Sequence, residues 1–181
     1  INNKIYDFCY LKQKNEKKIT IDSITFIEKK KQILDIYNKA INDSNHTVSS
    51  VNYSKNISNL PSNICTPSYI SNEAKKICKY YKKISTIILN KKDMKKMKFN
   101  GVLSISKGSN ENPKFITIQY KHDNKNDYKL IFIGKGVTFD TGGNSLKSAD
   151  NMMNMKYDMS GASCVISIMK FIIKSKIEMN I

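Results

Sequence analysis

Arginine is missing altogether. All 31 basic residues of the 181-residue chain are lysine, against 15 acidic residues, for a formal net charge of +16. A surplus of that size ordinarily suggests nucleic acid or an anionic membrane as a partner. Phosphate and guanine recognition, however, draws on arginine's flat bidentate fork, which lysine does not have. Asn and Ile are also abundant, so the surplus reads as a compositional drift towards Lys, Asn and Ile, and no nucleic-acid or membrane partner is expected. Paired metal-binding cysteines are missing too. Cys9, Cys65, Cys78 and Cys164 form no C-x-x-C pair, and His46 and His122 stand in no ligand spacing to them. Reduced thiols, and hence a cytoplasmic location, are the expectation. There is no secretory signal in the first residues. The longest apolar stretch, "ASCVISIM" at 162–169, is too short to span a bilayer. The chain opens on Ile1, not Met, and is expected to be a piece of a longer product.

What is there reads as an α/β chain. Residues 1–20 are Lys-rich and weakly patterned. From Ile21 to about Asn42, Ile24, Phe26, Ile27, Ile33, Ile36 and Ile41 recur at near-helical spacing. "NDSNHTVSS" predicts a break, with a second helix through Val51, Tyr53 and Ile57. Thr66-Pro67 predicts an N-cap and first helical position, followed by Ile70, Ala74, Ile77, Cys78 and Tyr81 on one face. "STIILN" predicts a buried strand, and Asn90 a cap for "KKDMKKM". Strands are predicted at 101–106, 114–120 and 128–134, the last almost continuously apolar and so covered on both faces. "SGASCVISIMKFIIK" predicts a helix. The order implies a layered α/β fold: an incomplete central mixed sheet flanked by helices.

The densest chemistry lies in "GKGVTFDTGGNSLKSADNMMNMKYDMSG", 134–161, just beyond the apolar 128–134 run. Ligands in α/β sheets gather beyond the carboxyl ends of strands. Lys135, Asp140, Lys147 and Asp158 follow one another there, among glycines that permit tight turns. Two carboxylates with nitrogen donors can hold a divalent metal. A lysine ligand must first lose a proton, which costs about 4–5 kcal/mol at neutral pH from an ordinary pKa. Burial and a directly bound dication could supply that. A lysine that stays protonated would instead face a developing oxyanion. Each residue also has a plainer reading. The lysines could be solvated loop charges, Asp158 a favourable charge at a helix N-terminus, and Asp140-Thr141-Gly142-Gly143 a turn. A phosphate loop of the form G-x-x-x-x-G-K-[ST] is not matched.

"GKGVTFDTGGNSLK" followed by "NMMNMKYDMSGAS" resembles the leucyl aminopeptidase (cytosol aminopeptidase) family of dimetal exopeptidases. That family carries GKG-[IV]-TFD-[ST]-GG-x-x-[IL]-K and then a Met-containing stretch ending in D-M-x-G. Upstream, "NLPSNICTPSYISNEAK" and "GVLSISKGSNENPKFITIQY" are similar to further family segments. The resemblance covers roughly residues 57–175. It implies a two-domain aminopeptidase fold, with 1–44 as the end of an N-terminal domain and linker helix and 45–181 as the first half of the catalytic domain. It also implies Lys135, Asp140 and Asp158 as metal ligands, Asp140 bridging two metals, and Lys147 as the catalytic and substrate-polarising lysine. Met155 would line the pocket for the substrate's N-terminal side chain. The implied cofactors are two divalent ions (Zn or Mn, with Mg possible) and a bicarbonate, the implied substrates are peptides, and the implied assembly is a homohexamer.

Two departures stand out. Met153 and Asn154 occupy places where the family usually has an acidic residue and then Leu, which bears on pocket shape. The family's later Asp-x-Glu-x-Arg segment, which supplies further ligands and holds the bicarbonate, is absent from these residues. The chain by itself is therefore expected to be inactive. A non-catalytic homologue with a structural or assembly role, and a Lys-rich nucleic-acid binder, stand as the alternatives.

Overall fold

The structure is a computed structural model that describes residues 6–8, 23–79, 81, 83–122 and 129–181. The N-terminal segment with Cys9, and the start of the helix expected from Ile21, lie outside the described residues.

A single helix, α1 (Lys31–Ser58), runs straight through the expected break. At 28 residues it is about 42 Å long. Ser, Asn and Thr are weak helix formers, but 43–50 contain neither Gly nor Pro, so the penalty per residue is only tenths of a kcal/mol. Packing offsets it. Lys174 Nζ reaches Ser49 Oγ at 3.1 Å, and Ser163 Oγ donates to the Ser54 carbonyl at 2.8 Å, tying α1 to the last helix. The first part of α1 leaves Ile36 and Tyr37 exposed. The pattern expected to begin a helix near Ile21 gives no helix over 23–30.

Helix α2 (Pro67–Cys78) starts as its sequence implies, with Thr66 Oγ1 accepting from the Tyr69 N–H at 3.2 Å and Pro67 in the first turn. Strand β1 (Ile84–Leu89) pairs antiparallel with β2 (Phe115–Tyr120), Ile84 opposite Tyr120 and Leu89 opposite Phe115. Between them lie α3 (Lys91–Lys96), closed by a reciprocal Asn90–Asp93 capping box, and α4 (Asn100–Ile105). The expected strand at 101–106 is therefore a helix. Val102, Leu103 and Ile105 fit a period of two and a helical spacing equally well over so short a run. Helices α5 (Ala149–Met153) and α6 (Ser160–Lys174) complete the order.

The run at 128–134 also departs from expectation. Tyr128 lies outside the described residues, and 130–142 form no ladder. Lys129 makes one parallel bridge to Asn180, while Ile181 exchanges both backbone hydrogen bonds with Tyr120 of β2. Asn180 and Ile181 thus lie between β2 and the extended run. Phe132 packs inward with Met169 and Ile172 of α6, but Ile133 is 92% exposed. The apolar composition calls for cover on both faces, and among the described residues only one face has it. The α/β class holds, with a two-stranded antiparallel sheet flanked by helices.

Two apolar clusters hold these elements. One joins Ile57 and Leu60 at the end of α1 with Ile70 and Ala74 of α2, and Met159 and Ile166. The other joins Tyr120, Met169 and Ile172. Ile57 and Met159 are essentially fully buried, which is worth about 1.5–3 kcal/mol each. Met159 directly follows Asp158, so the first cluster anchors the loop's end as well as the helices.

Candidate active-site loop

The loop is attached to the fold by two glycines. A Cβ at Gly134 would stand 2.3 Å from the Gly161 carbonyl oxygen, and one at Gly161 would stand 2.7 Å from the Lys135 nitrogen. Without side chains, the extended backbone lies directly on the first turn of α6, where the Ala162 N–H donates to the Lys135 carbonyl at 2.8 Å. This close approach sets Lys135 beside Asp158. Their Nζ and Oδ1 are 2.7 Å apart. The Asp158 side chain is only 14% exposed, and its Oδ2 is buried with no hydrogen-bond partner among the described residues. A one-turn 3-10 helix, Asn154–Tyr157, delivers Asp158, whose N–H donates to the Met155 carbonyl at 3.2 Å.

A second pair forms at the turn. Asp140 Oδ1 accepts from the Gly142 N–H at 2.8 Å, and Gly142 and Gly143 take left-handed backbone angles, φ +89° and +70°. At Gly142 a side chain would also meet the Ser145 carbonyl oxygen at 2.3 Å, so glycine is required there. The Lys147 N–H donates to the Thr141 carbonyl at 2.9 Å and closes the loop. Lys147 Nζ then lies 3.0 Å from Asp140 Oδ2 and donates to Met155 Sδ at 3.2 Å. Asp140-Thr141-Gly142-Gly143 is thus a turn, as its plainer reading had it, and it is also one side of an ion pair. Lys147 is half-buried rather than freely solvated.

The Asp140 carboxyl is held below the usual carboxylate range. The Lys147 hydrogen bond does most, the Gly142 N–H adds to it, burial opposes it, and the charges of Lys147 and then Lys135 add smaller contributions. Lys135 therefore acts on Asp140 as well as on Asp158, and the two pairs share one field.

The donor set fits part of a divalent-metal site. Carboxylate oxygens from Asp140 and Asp158 and the Lys135 nitrogen suit a hard or borderline dication. The buried, unpartnered Asp158 Oδ2 is the atom a cation would satisfy. It is only part of a site, since no group of three His, Cys, Asp or Glu residues comes together among the described residues. His46 and His122 lie elsewhere, His46 near Ser175 and His122 bonded through its N–H to Asn180. The loop also has few walls. A surface hollow of about 610 Å³ between α2 and β1 is lined by residues such as Lys75, Cys78 and Thr86 and shares none with the loop.

Two contributors are not evident from spacing. Gly161 seats Lys135 from across the contact. Asn59, at the end of α1, accepts from the Tyr157 hydroxyl at 3.1 Å, next to Asp158 in the chain. Only an aromatic hydroxyl preceding the aspartate hints at the latter.

The catalytic-domain profile of the cytosol aminopeptidase family matches residues 52–181. The chain is 34% identical over its whole length to a "Probable cytosol aminopeptidase" of Legionella pneumophila (strain Corby), of which it covers 36%. It is 35% identical over 185 aligned positions to a protein of the same name from Blochmanniella floridana, covering 37% of that one. The chain thus spans little more than a third of the length of these relatives. Among solved structures, the cytosol aminopeptidase from Coxiella burnetii superposes over 77% of this chain and 30% of its own, with a TM-score of 0.71 at 23% identity. A bottromycin maturation enzyme in complex with Mn superposes over 79% of this chain and 30% of its own, with a TM-score of 0.70 at 20% identity. These two likenesses speak for the fold. With the profile spanning more than two thirds of its residues, the chain belongs to the cytosol aminopeptidase family.

Proposed function

We propose that the complete protein is a metal-dependent aminopeptidase, a hydrolase that releases N-terminal residues of leucine type from peptides. The 181 residues hold part of its active site and do not turn over substrate alone. In this reading 1–44 end an N-terminal domain with its linker helix, and 45–181 form the first half of the catalytic domain. Helix α1 crosses residue 44 without interruption, so the boundary between the two falls within a continuous helix.

The observation that carries the proposal is the pairing of Lys135 with Asp158, whose second carboxylate oxygen is buried without a partner among the described residues, beside the pairing of Lys147 with Asp140. Lys135, Asp140 and Asp158 would hold the metal ions, Asp140 shared between the two. Bound divalent ions would supply Lewis-acid activation of a water molecule and of the scissile carbonyl. Zn or Mn is favoured, with Mg also admissible, and the Mn complex of one structural neighbour supports Mn. A bicarbonate would act as base in the complete enzyme. The assembly would be a homohexamer in the cytoplasm.

The chain's own part in the chemistry follows from position. Lys147 Nζ would donate a hydrogen bond to the scissile carbonyl oxygen and stabilise the charge that builds there. Asp140 and Met155 hold that Nζ at the turn. Met155 would also supply apolar surface for the substrate's first side chain. In the complete protein, Asp140→Ala should abolish turnover of a leucyl-anilide and lower the bound metal. An unchanged rate with unchanged metal content would show that the ligand assignment is wrong.

A further inference from the structure

Asp158 owes its position to more than its own turn. The segment from Tyr157 to Ser163 is tied to α1 at both ends. At its start the Tyr157 hydroxyl donates to Asn59 Oδ1 at 3.1 Å, while Asn59 Nδ2 donates to the Tyr6 hydroxyl at 2.9 Å. At its end the fully buried Ser163 Oγ lies 2.8 Å from the Ser54 carbonyl and 2.9 Å from Ser54 Oγ. Asn59 is the C-cap of α1, and its N–H donates to the Lys55 carbonyl at 2.9 Å, so its backbone is fixed by the helix. The Tyr157 ring is steadied by the Lys156 ammonium, 4.7 Å from its centroid. One residue later, Asp158 points its Oδ1 at Lys135.

We propose that Asn59 is a positioning residue of the site. By holding the Tyr157 hydroxyl against the end of α1, it fixes the direction in which Asp158 presents its carboxylate to Lys135 and to a metal. The inference rests on the reading of Asp158 as a ligand. Residues that orient metal ligands are worth about 10–100-fold in metal affinity when lost. Their effect passes through the ligand they hold, so two partners in one such bond should not have additive effects.

The test uses the complete protein, stripped of metal and titrated with Mn²⁺. Tyr157→Phe keeps the ring and removes only the hydroxyl; Asn59→Ala removes the acceptor. Each should weaken Mn²⁺ binding by about tenfold, with KM for a leucyl-anilide at saturating Mn²⁺ changed by less than about twofold. The double variant should be no weaker than either single. A fall in melting temperature with unchanged Mn²⁺ affinity would overturn the inference and leave Asn59 a merely structural cap, as would losses that multiply in the double variant. Asp158→Asn separates the two levels. If it lowers Mn²⁺ affinity while Tyr157→Phe does not, only the positioning role falls. If it leaves Mn²⁺ binding unchanged, the ligand assignment falls, and the positioning role falls with it.

Discussion

Four residues in one loop, Lys135, Asp140, Lys147 and Asp158, stood out in the sequence by type and spacing, and folding joins them into two ion pairs. Their pairing partners were not readable from spacing, because Lys135 reaches the distant Asp158 and not the nearer Asp140. That choice is made by the backbone contact of Gly134 with Gly161, a three-dimensional fact with no local signature. Cys65 shows the other limit. Its thiol lies in the apolar core, and burial pushes it from 9.0 up to about 11. Because the raised value favours the protonated thiol in the fold, the associated stability is whole below about pH 9 and is lost as pH rises through about 11. Urea unfolding of the chain across that range should therefore show a steeper loss of stability than Cys65→Ala. Parallel curves for the two would show that Cys65 ionises as freely folded as unfolded.

At the scale of elements, legibility followed the strength of local signals. The cap at Thr66 with Pro67, the cap at Asn90 and the small-to-apolar pattern of α6 are local chemistry, and all three elements form where they were expected. The run at 101–106 is too short to separate two periodicities and folded as α4. The break expected in α1 did not occur because packing against α6 outweighs weak propensity. The extended run at 129–134 depends on neighbours for its hydrogen bonds, so composition alone did not make it a strand. Beyond its bridge to Asn180 and the packing of Phe132, the run is attached by its seat on α6. Gly134→Ala should force that seat apart, since the new methyl would meet backbone that cannot swing away. A cost of about 1–3 kcal/mol is expected, read as a lower denaturation midpoint, together with loss of the Lys135–Asp158 approach. Gly143→Ala is the informative comparison, because nothing lies within 4 Å there and only its φ of +70° is strained. A Gly134→Ala variant as stable as the parent would show that the seat is loose.

At the scale of the whole molecule, apolar surface gathers beside the loop. Ile131, Ile133, Leu146 and Met153 all stand more than two thirds exposed along or beside the loop, a density of apolar surface that free surfaces seldom carry. With only two carboxylates, Asp140 and Asp158, in the lysine pairs and few walls around them, the 181 residues should show no metal-dependent cleavage of a leucyl-anilide. Turnover by the purified chain would contradict the reading that further ligands are needed. The fold class and the family were legible because the loop motif is long and specific. The sheet was legible only in part, because its order depends on strands whose partners are set by the complete fold.

The central claim is a division of labour within one loop: Lys135, Asp140 and Asp158 hold metal, and Lys147 acts on the substrate. Metal content and kcat measured together on Lys147→Met in the complete protein test it most directly. The account predicts metal retained at the parent's level, with kcat lowered by about 10²–10³-fold, the loss expected from removing one charge-stabilising donor. Loss of the metal together with the rate would make Lys147 a ligand, and full activity would remove it from the chemistry. Either result would contradict the account.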